Sequence, residues 1–253
     1  MKILCIGDIH GSDKWQRPVY HALEHFVDKI IFVGDYLDSF NILPIDILQN
    51  FKDIIDLKQK YPDKIVLLIG NHDYAYQFRL TGISGYNLKV QDAYNQMLRE
   101  SWDLFDVAWG HGGDHIKRGY GDEKYTLVTH AGLTASYYKK FIDYEINDED
   151  TTMHQVFKDE DMTKLKLHEI LNHFKDNQRV LWKVGSERGG SGCGGILWAD
   201  KRELISDRFV GIDQIVGHTG SKYIEQYKRD EDRLYFIDIA DYDNCVGTLM
   251  LDL

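Results

Sequence analysis

"KIIFVGDYLD", residues 29–38, is a short apolar run that stops at Gly34 and then delivers two carboxylates, Asp35 and Asp38. A buried strand normally ends in a polar turn that does no more than close it, so one such ending is weak evidence of chemistry. Reading outward, the ending recurs on both sides. "KILCIGDIHG" (2–11) delivers Asp8 and His10 after Gly7, and "KIVLLIGNHD" (64–73) delivers Asn71, His72 and Asp73 after Gly70. Further along, "YTLVTHAGL" (125–133) presents His130, and "IDQIVGHTG" (212–220) presents His218 and Thr219. Oxygen or imidazole donors thus terminate five separate apolar runs.

The intervening segments have helical spacing. Pro18 stands where a helix can begin and is followed by Val19, Leu23, Phe26, Val27 and Ile30, while Pro44 opens a second stretch with Ile47, Leu48, Phe51, Ile54 and Ile55 on one face. The chain therefore begins β-α-β-α-β. Such units build a parallel sheet, and ligands of open α/β sheets gather beyond the carboxyl ends of the strands, where Asp8, His10, Asp35, Asn71 and His72 all fall. Two segments break the rhythm, at about 74–124 and 136–177, and are read as insertions into a single domain spanning 1–253. A helix is expected from about Lys89 to Phe105. The glycine-dense "VGSERGGSGCGGILWAD" (184–200) reads as a mobile loop, and "RLYFIDIADYDNCVGTLMLDL" (233–253) as a closing hairpin turning at 241–244.

A formal net charge of −11 argues against a surface that grips nucleic acid throughout. Cys5, Cys193 and Cys245 are far apart and form no CxxC pair, which points to neither a disulfide framework nor a thiolate metal site and fits a reducing cytoplasm. No apolar stretch has the length of a membrane span or a signal-peptide core, so a soluble, unexported protein with no membrane partner is expected.

Carboxylate, amide oxygen and imidazole without thiolate suit divalent manganese, iron, zinc, cobalt or nickel. With Asp35 between two ions, Asp8 and His10 can complete one site and Asn71, His130 and His218 the other. Two ions about 3.5–4 Å apart can share a hydroxide and clamp both ends of an in-line displacement at phosphorus.

In this order "GDIHG", "GDYLD", "GNHD", "THAGL" and "GHT" resemble the calcineurin-like metallophosphoesterases, and within them the phosphoprotein-phosphatase branch, which includes bacterial serine/threonine phosphatases and symmetrical diadenosine tetraphosphatases. "ILWAD" (196–200) and the last strand region extend the likeness along the chain. The resemblance implies a four-layer α/β/β/α sandwich of two mixed sheets with helical insertions. It also implies two divalent metal ions, one held by Asp8, His10 and Asp35 and the other by Asp35, Asn71, His130 and His218. It implies His72 as the general acid facing the scissile ester and Asp38 as the residue that orients it, with Asp73 a weaker candidate for that role. The implied reaction is hydrolysis of phosphomonoester or phosphoanhydride bonds by a metal-bridging hydroxide, the substrate being a phosphoprotein, a dinucleoside polyphosphate or a small phosphorylated metabolite. The alternatives are a phosphodiesterase or nuclease of the same superfamily, disfavoured because Gly220 stands where many of those enzymes carry a second histidine, and a non-catalytic scaffold, disfavoured because no expected ligand is missing.

One departure is clear. The branch usually continues its second motif with an arginine that grips phosphate, whereas this chain has Ser39 and Phe40 after Asp38. Arg188 is the first substitute, ahead of Arg79, Arg17 and Lys183. The remaining histidines, including His111 and His115, and the aromatic group Tyr74, Tyr76 and Phe78 are read as surface or packing residues.

Overall fold

The strands begin where the apolar runs begin, because residues that point to both faces of a covered sheet must all be apolar. In the computed structural model, which describes residues 1–25, 27–113, 124–158, 165–239 and 245–253, these runs become β1 (Lys2–Ile6), β2 (Lys29–Phe32) and β3 (Ile65–Leu68), buried along nearly their whole length. The three are parallel and joined by α1 (Gln16–Glu24) and α2 (Pro44–Lys60). After α3 (Asn71–Phe78) and α4 (Gln91–Ser101), β4 (Phe105–Asp106) adds a short parallel edge beside β3.

The second sheet draws on β5 (Ala108–His111), antiparallel to β6 (Tyr125–Thr129), and on β7 (Ile212–Val216), β8 (Glu225–Arg229) and β9 (Asp232–Phe236), in the order β5-β6-β7-β9-β8. Between β6 and β7 run short helices: α5 (Ala135–Tyr137), α6 (Asp143–Asn147), α7 (Thr152–Lys158), α8 (Leu167–Asn172), α9 (Gln178–Leu181) and α10 (Lys201–Asp207). The last strand, β10 (Thr248–Asp252), returns to the first sheet and runs antiparallel to β1. The fold is therefore mixed α/β with two mixed sheets. Among the described residues no helix is long and apolar enough to cross a membrane.

Two compact units result. The first holds residues 1–106, 216–225 and 235–253, and the second holds 107–215 and 226–234. The segment 74–124, expected as an insertion, supplies α4 and β4 to the first unit and β5 to the second.

The first unit's core is an aromatic chain. Trp15 meets Phe32, and Tyr36 meets both Phe51 and Phe105, at centroid separations of 5.5–5.6 Å. Such edge and tilted contacts each contribute about 0.5–1.5 kcal/mol beyond area burial. The Trp15 indole donates to Asn50 Oδ1 at 2.9 Å, and the Asn50 amide donates to the Ser12 carbonyl at 3.1 Å. This buried pair ties α2 to the loop that leaves β1.

One sequence expectation is corrected here. Among the described residues β9 and β10 do not pair as a closing hairpin but lie in different sheets; the expected turn, 241–244, lies outside the described residues. Both runs have strand periodicity, but periodicity does not specify the partner strand. The stretch 184–200 is folded into tight turns, with Ser186 N–H donating to the Gly192 carbonyl at 3.0 Å and Gly195 N–H to the Lys183 carbonyl at 2.7 Å.

Candidate metal centre

The loops that leave β1 and β2 are stitched together by their backbones. The Asp35 carbonyl accepts the N–H groups of Ile9 and His10 at 3.2 and 2.7 Å, and the Tyr36 carbonyl accepts that of Gly11 at 3.1 Å. This brings the two strand ends to one place before any side chain is considered.

Six non-glycine residues among those described have left-handed backbone, and four are expected site residues: His10 (φ 42°), Asp35 (52°), Asp38 (67°) and His218 (65°). Each costs about 1–2 kcal/mol against an ordinary conformation, and Asp and His tolerate it better than most. Such strain persists where the surroundings over-determine the backbone, and here it falls on the loops that follow β1, β2 and β7.

Donor atoms of Asp8, His10 and Asp35 all lie within 4.8 Å of one another. His10 Nδ1 donates to the Asp38 carbonyl at 3.0 Å and lies 3.2 Å from that of Leu37, which turns Nε2 toward Asp35 Oδ2, 3.8 Å away. Donor atoms of Asp35 and His218 are likewise within 4.8 Å, and His218 Nδ1 lies 2.9 Å from Asn71 Oδ1. Asp35 therefore stands next to both groups. Asp8 is held by the His218 N–H, 3.1 Å from each of its oxygens.

The carboxylates fit into glycine cradles. A Cβ at Gly217 would come within 2.0 Å of Asp8 Oδ1, and one at Gly70 within 2.1 Å of Asp35 Oδ1. Burial, reinforced by the charges of Asp238 and Asp35, pushes Asp8 well above the ordinary carboxylate range, against the lowering effect of the His218 N–H. Buried carboxylates crowded together beside imidazole nitrogens suit a divalent cation, which would relieve their mutual repulsion. The donor set fits borderline divalent metals.

His72 stands beside this group, its ring meeting that of His10 edge-on at 5.2 Å. Its backbone N–H donates to Asp35 Oδ1 at 2.9 Å, and its Nδ1 donates to Asp38 Oδ2 at 2.9 Å. Burial pulls the imidazole down, but the Asp35 charge and the Asp38 hydrogen bond outweigh it and bring the pKa to about 9. Asp73, the weaker candidate for orienting His72, makes different contacts. Fully buried, it accepts the N–H groups of Asp35 (2.8 Å), Gly70 (2.9 Å), Tyr36 (2.9 Å) and Leu37 (3.4 Å), so it organises the loop and not the imidazole.

The first unit thus brings together Asp8, His10, Asp35, Asp38, Asn71, His72 and His218. His130, fully buried just after β6, and Arg188, paired with Asp200 at 3.0 Å, belong to the second unit. Arg79 pairs with Asp92 at 2.9 Å, and Lys183 lies over the Phe141 ring at 4.7 Å. Tyr74 and Tyr76 are buried against other rings. His115 lies outside the described residues. Sequence reasoning passed over Arg208, 5 % exposed, whose Nε has no hydrogen-bond partner among the described residues. No local pattern marks it; its backbone bridges to Thr134 in the second unit.

A family model described as calcineurin-like phosphoesterase matches residues 1–235. The serine/threonine-protein phosphatase PP1-1 of Saccharomyces cerevisiae is 33% identical over 90 residues, which is 35% of this chain and 27% of that protein. The serine/threonine-protein phosphatase 6 catalytic subunit of Caenorhabditis elegans is 31% identical over 110 residues, 40% of this chain and 29% of that one. The matches span less than a third of either relative's length. A solved Saccharomyces cerevisiae protein serine/threonine phosphatase with similarity to human phosphatase PP5 superposes with a TM-score of 0.48 at 14% identity, covering 100% of this chain and 80% of that one.

Proposed function

The chain belongs to the calcineurin-like phosphoesterase family, and we propose that it hydrolyses phosphomonoester or phosphoanhydride bonds as a member of the phosphoprotein-phosphatase branch. The observation that carries this reading is the His72 imidazole, held through Nδ1 by Asp38 and set against the ring of His10. Protein phosphoserine or phosphothreonine, a dinucleoside polyphosphate and a small phosphorylated metabolite are the candidate substrates. The two curated relatives, both serine/threonine phosphatases by name, favour the first.

Two divalent ions, when bound, would supply positive charge to the phosphoryl oxygens and a water made acidic enough to attack at neutral pH. Asp8, His10 and Asp35 would hold the first. Asp35, Asn71 and His218 would contribute to the second, together with His130, whose place in the set rests on its motif. His72 donates a proton from Nε2 to the leaving oxygen, since an alkoxide or phosphate leaving group departs poorly unprotonated. Asp38 keeps the imidazole turned and charged for that transfer. For the phosphate oxygens, Arg188 is the clamp expected from sequence.

The test is a substrate panel with protein reconstituted separately with manganese, iron, zinc, cobalt and nickel. p-Nitrophenyl phosphate, a phosphoserine peptide and diadenosine tetraphosphate are compared with bis-p-nitrophenyl phosphate and a cyclic nucleotide. Faster turnover of the diesters would replace this reading with a phosphodiesterase, and no turnover with any metal would leave a binding scaffold. An Asp35→Asn protein that kept full activity and metal content would remove the bridging ligand.

A further inference from the structure

Asp38 uses both of its carboxylate oxygens. Oδ2 accepts the His72 imidazole at 2.9 Å, and Oδ1 accepts the Tyr76 hydroxyl at 2.5 Å. The phenol is in turn fixed from behind: the Asn87 N–H donates to the Tyr76 oxygen at 2.8 Å, so the one hydroxyl proton points at Asp38. The Tyr76 ring is fully buried, stacked on Tyr86 at 4.4 Å and meeting Tyr94 edge-on at 4.9 Å, which leaves it little rotational freedom. His72 and Tyr76 are four residues apart on α3, so both reach the same carboxylate from one helix face.

We propose that Tyr76 is a positioning residue for leaving-group protonation, acting through Asp38 on His72. This rests on the reading of His72 as the general acid. A carboxylate anchored by one oxygen only can turn about its χ2 bond and carry the imidazole with it; anchored at both oxygens, it holds Nε2 in one direction. The hydroxyl is the only part of Tyr76 that the mechanism needs, since phenylalanine preserves the ring contacts.

Tyr76→Phe is compared with wild type on two probes, p-nitrophenyl phosphate, whose leaving group departs without a proton, and β-glycerol phosphate, whose alkoxide requires one. General acid assistance contributes about 10²–10⁴-fold, and its partial loss is expected to lower kcat on β-glycerol phosphate about tenfold while p-nitrophenyl phosphate changes by less than about threefold, with KM and metal content unchanged. Tyr94→Phe, which removes a hydroxyl from the same ring cluster without touching Asp38, is expected to leave the ratio of the two rates as it is. An equal loss on both probes, or none on either, would overturn the proposal. His72→Asn separates it from the reading beneath it. If that variant fails to steepen the leaving-group dependence, His72 is not the acid; if it does and Tyr76→Phe does not, only Tyr76 is wrongly assigned. Should Tyr76→Phe not fold, 3-fluorotyrosine at position 76 keeps the ring and hydroxyl while changing donor strength, and an unchanged rate ratio there would equally refute it.

Discussion

The carboxylate of Asp73 accepts the backbone N–H of Asp35 at 2.8 Å. Together with its bonds from Gly70, Tyr36 and Leu37, this means that a side chain at the start of α3 shapes the loop from which Asp35 and Asp38 project. Asp73→Ala leaves several buried N–H groups without an acceptor, each costing about 1–3 kcal/mol. The metal-free variant is expected to lose roughly 2–4 kcal/mol in urea unfolding, and to bind metal more weakly as well. Unchanged unfolding would show that the loop holds its shape without Asp73.

Gly217→Ala tests the cradle around Asp8. The backbone at Gly217 is not left-handed, so alanine is conformationally allowed there, but its Cβ would come within 2.0 Å of Asp8 Oδ1 and displace it. Metal affinity is expected to fall about 10–100-fold, the usual cost of disturbing a ligand's support, with circular dichroism unchanged. A calorimetric metal titration measures this.

Chelation should destabilise the protein in proportion to metal binding. Wild type with a divalent ion at about 100 times its Kd is expected to gain about 2.7 kcal/mol over the chelated form. Asp35→Asn should lose most of that gain. Thermal unfolding with and without the ion provides the comparison.

A pH effect is expected from the second unit. The Tyr125 hydroxyl lies 2.6 Å from His168 Nδ1, and burial lowers the His168 pKa below its ordinary 6.5. The unfolded chain therefore takes up the proton first. This contribution to stability is complete above about pH 6.5 and is lost as the pH falls from there through the lowered value of the folded state. His168→Gln should flatten the decline between pH 7 and pH 5, seen as the difference in unfolding midpoints. A parallel pair of curves would exclude His168 as its source.

Arg188→Gln tests the clamp expected from sequence: KM should rise about tenfold and inhibition by inorganic phosphate should weaken, since one charge-assisted contact is worth about 1.5–3 kcal/mol. An unchanged KM would remove Arg188 from the phosphate.

The β-α-β-α-β start was legible because each apolar run is bounded by its own turn and each helix carries its own apolar stripe. The donor-bearing strand ends were legible for the same reason: a motif of five residues is local. The partner of β10 was not, since strand periodicity is the same whether the run closes a hairpin or crosses to another sheet. Nor was the work of Asp73 and Tyr76, which read as a second candidate for orienting His72 and a packing aromatic.

By itself the amino-acid order determined the elements, the family pattern and the kinds of donor at each strand end, all set by neighbours a few positions apart. Only the tertiary structure decided which oxygen faces which donor. Asp38 meets Tyr76 across 38 positions and Asp8 meets His218 across 210, and such contacts depend on left-handed turns and glycine cradles that close only when the chain is packed.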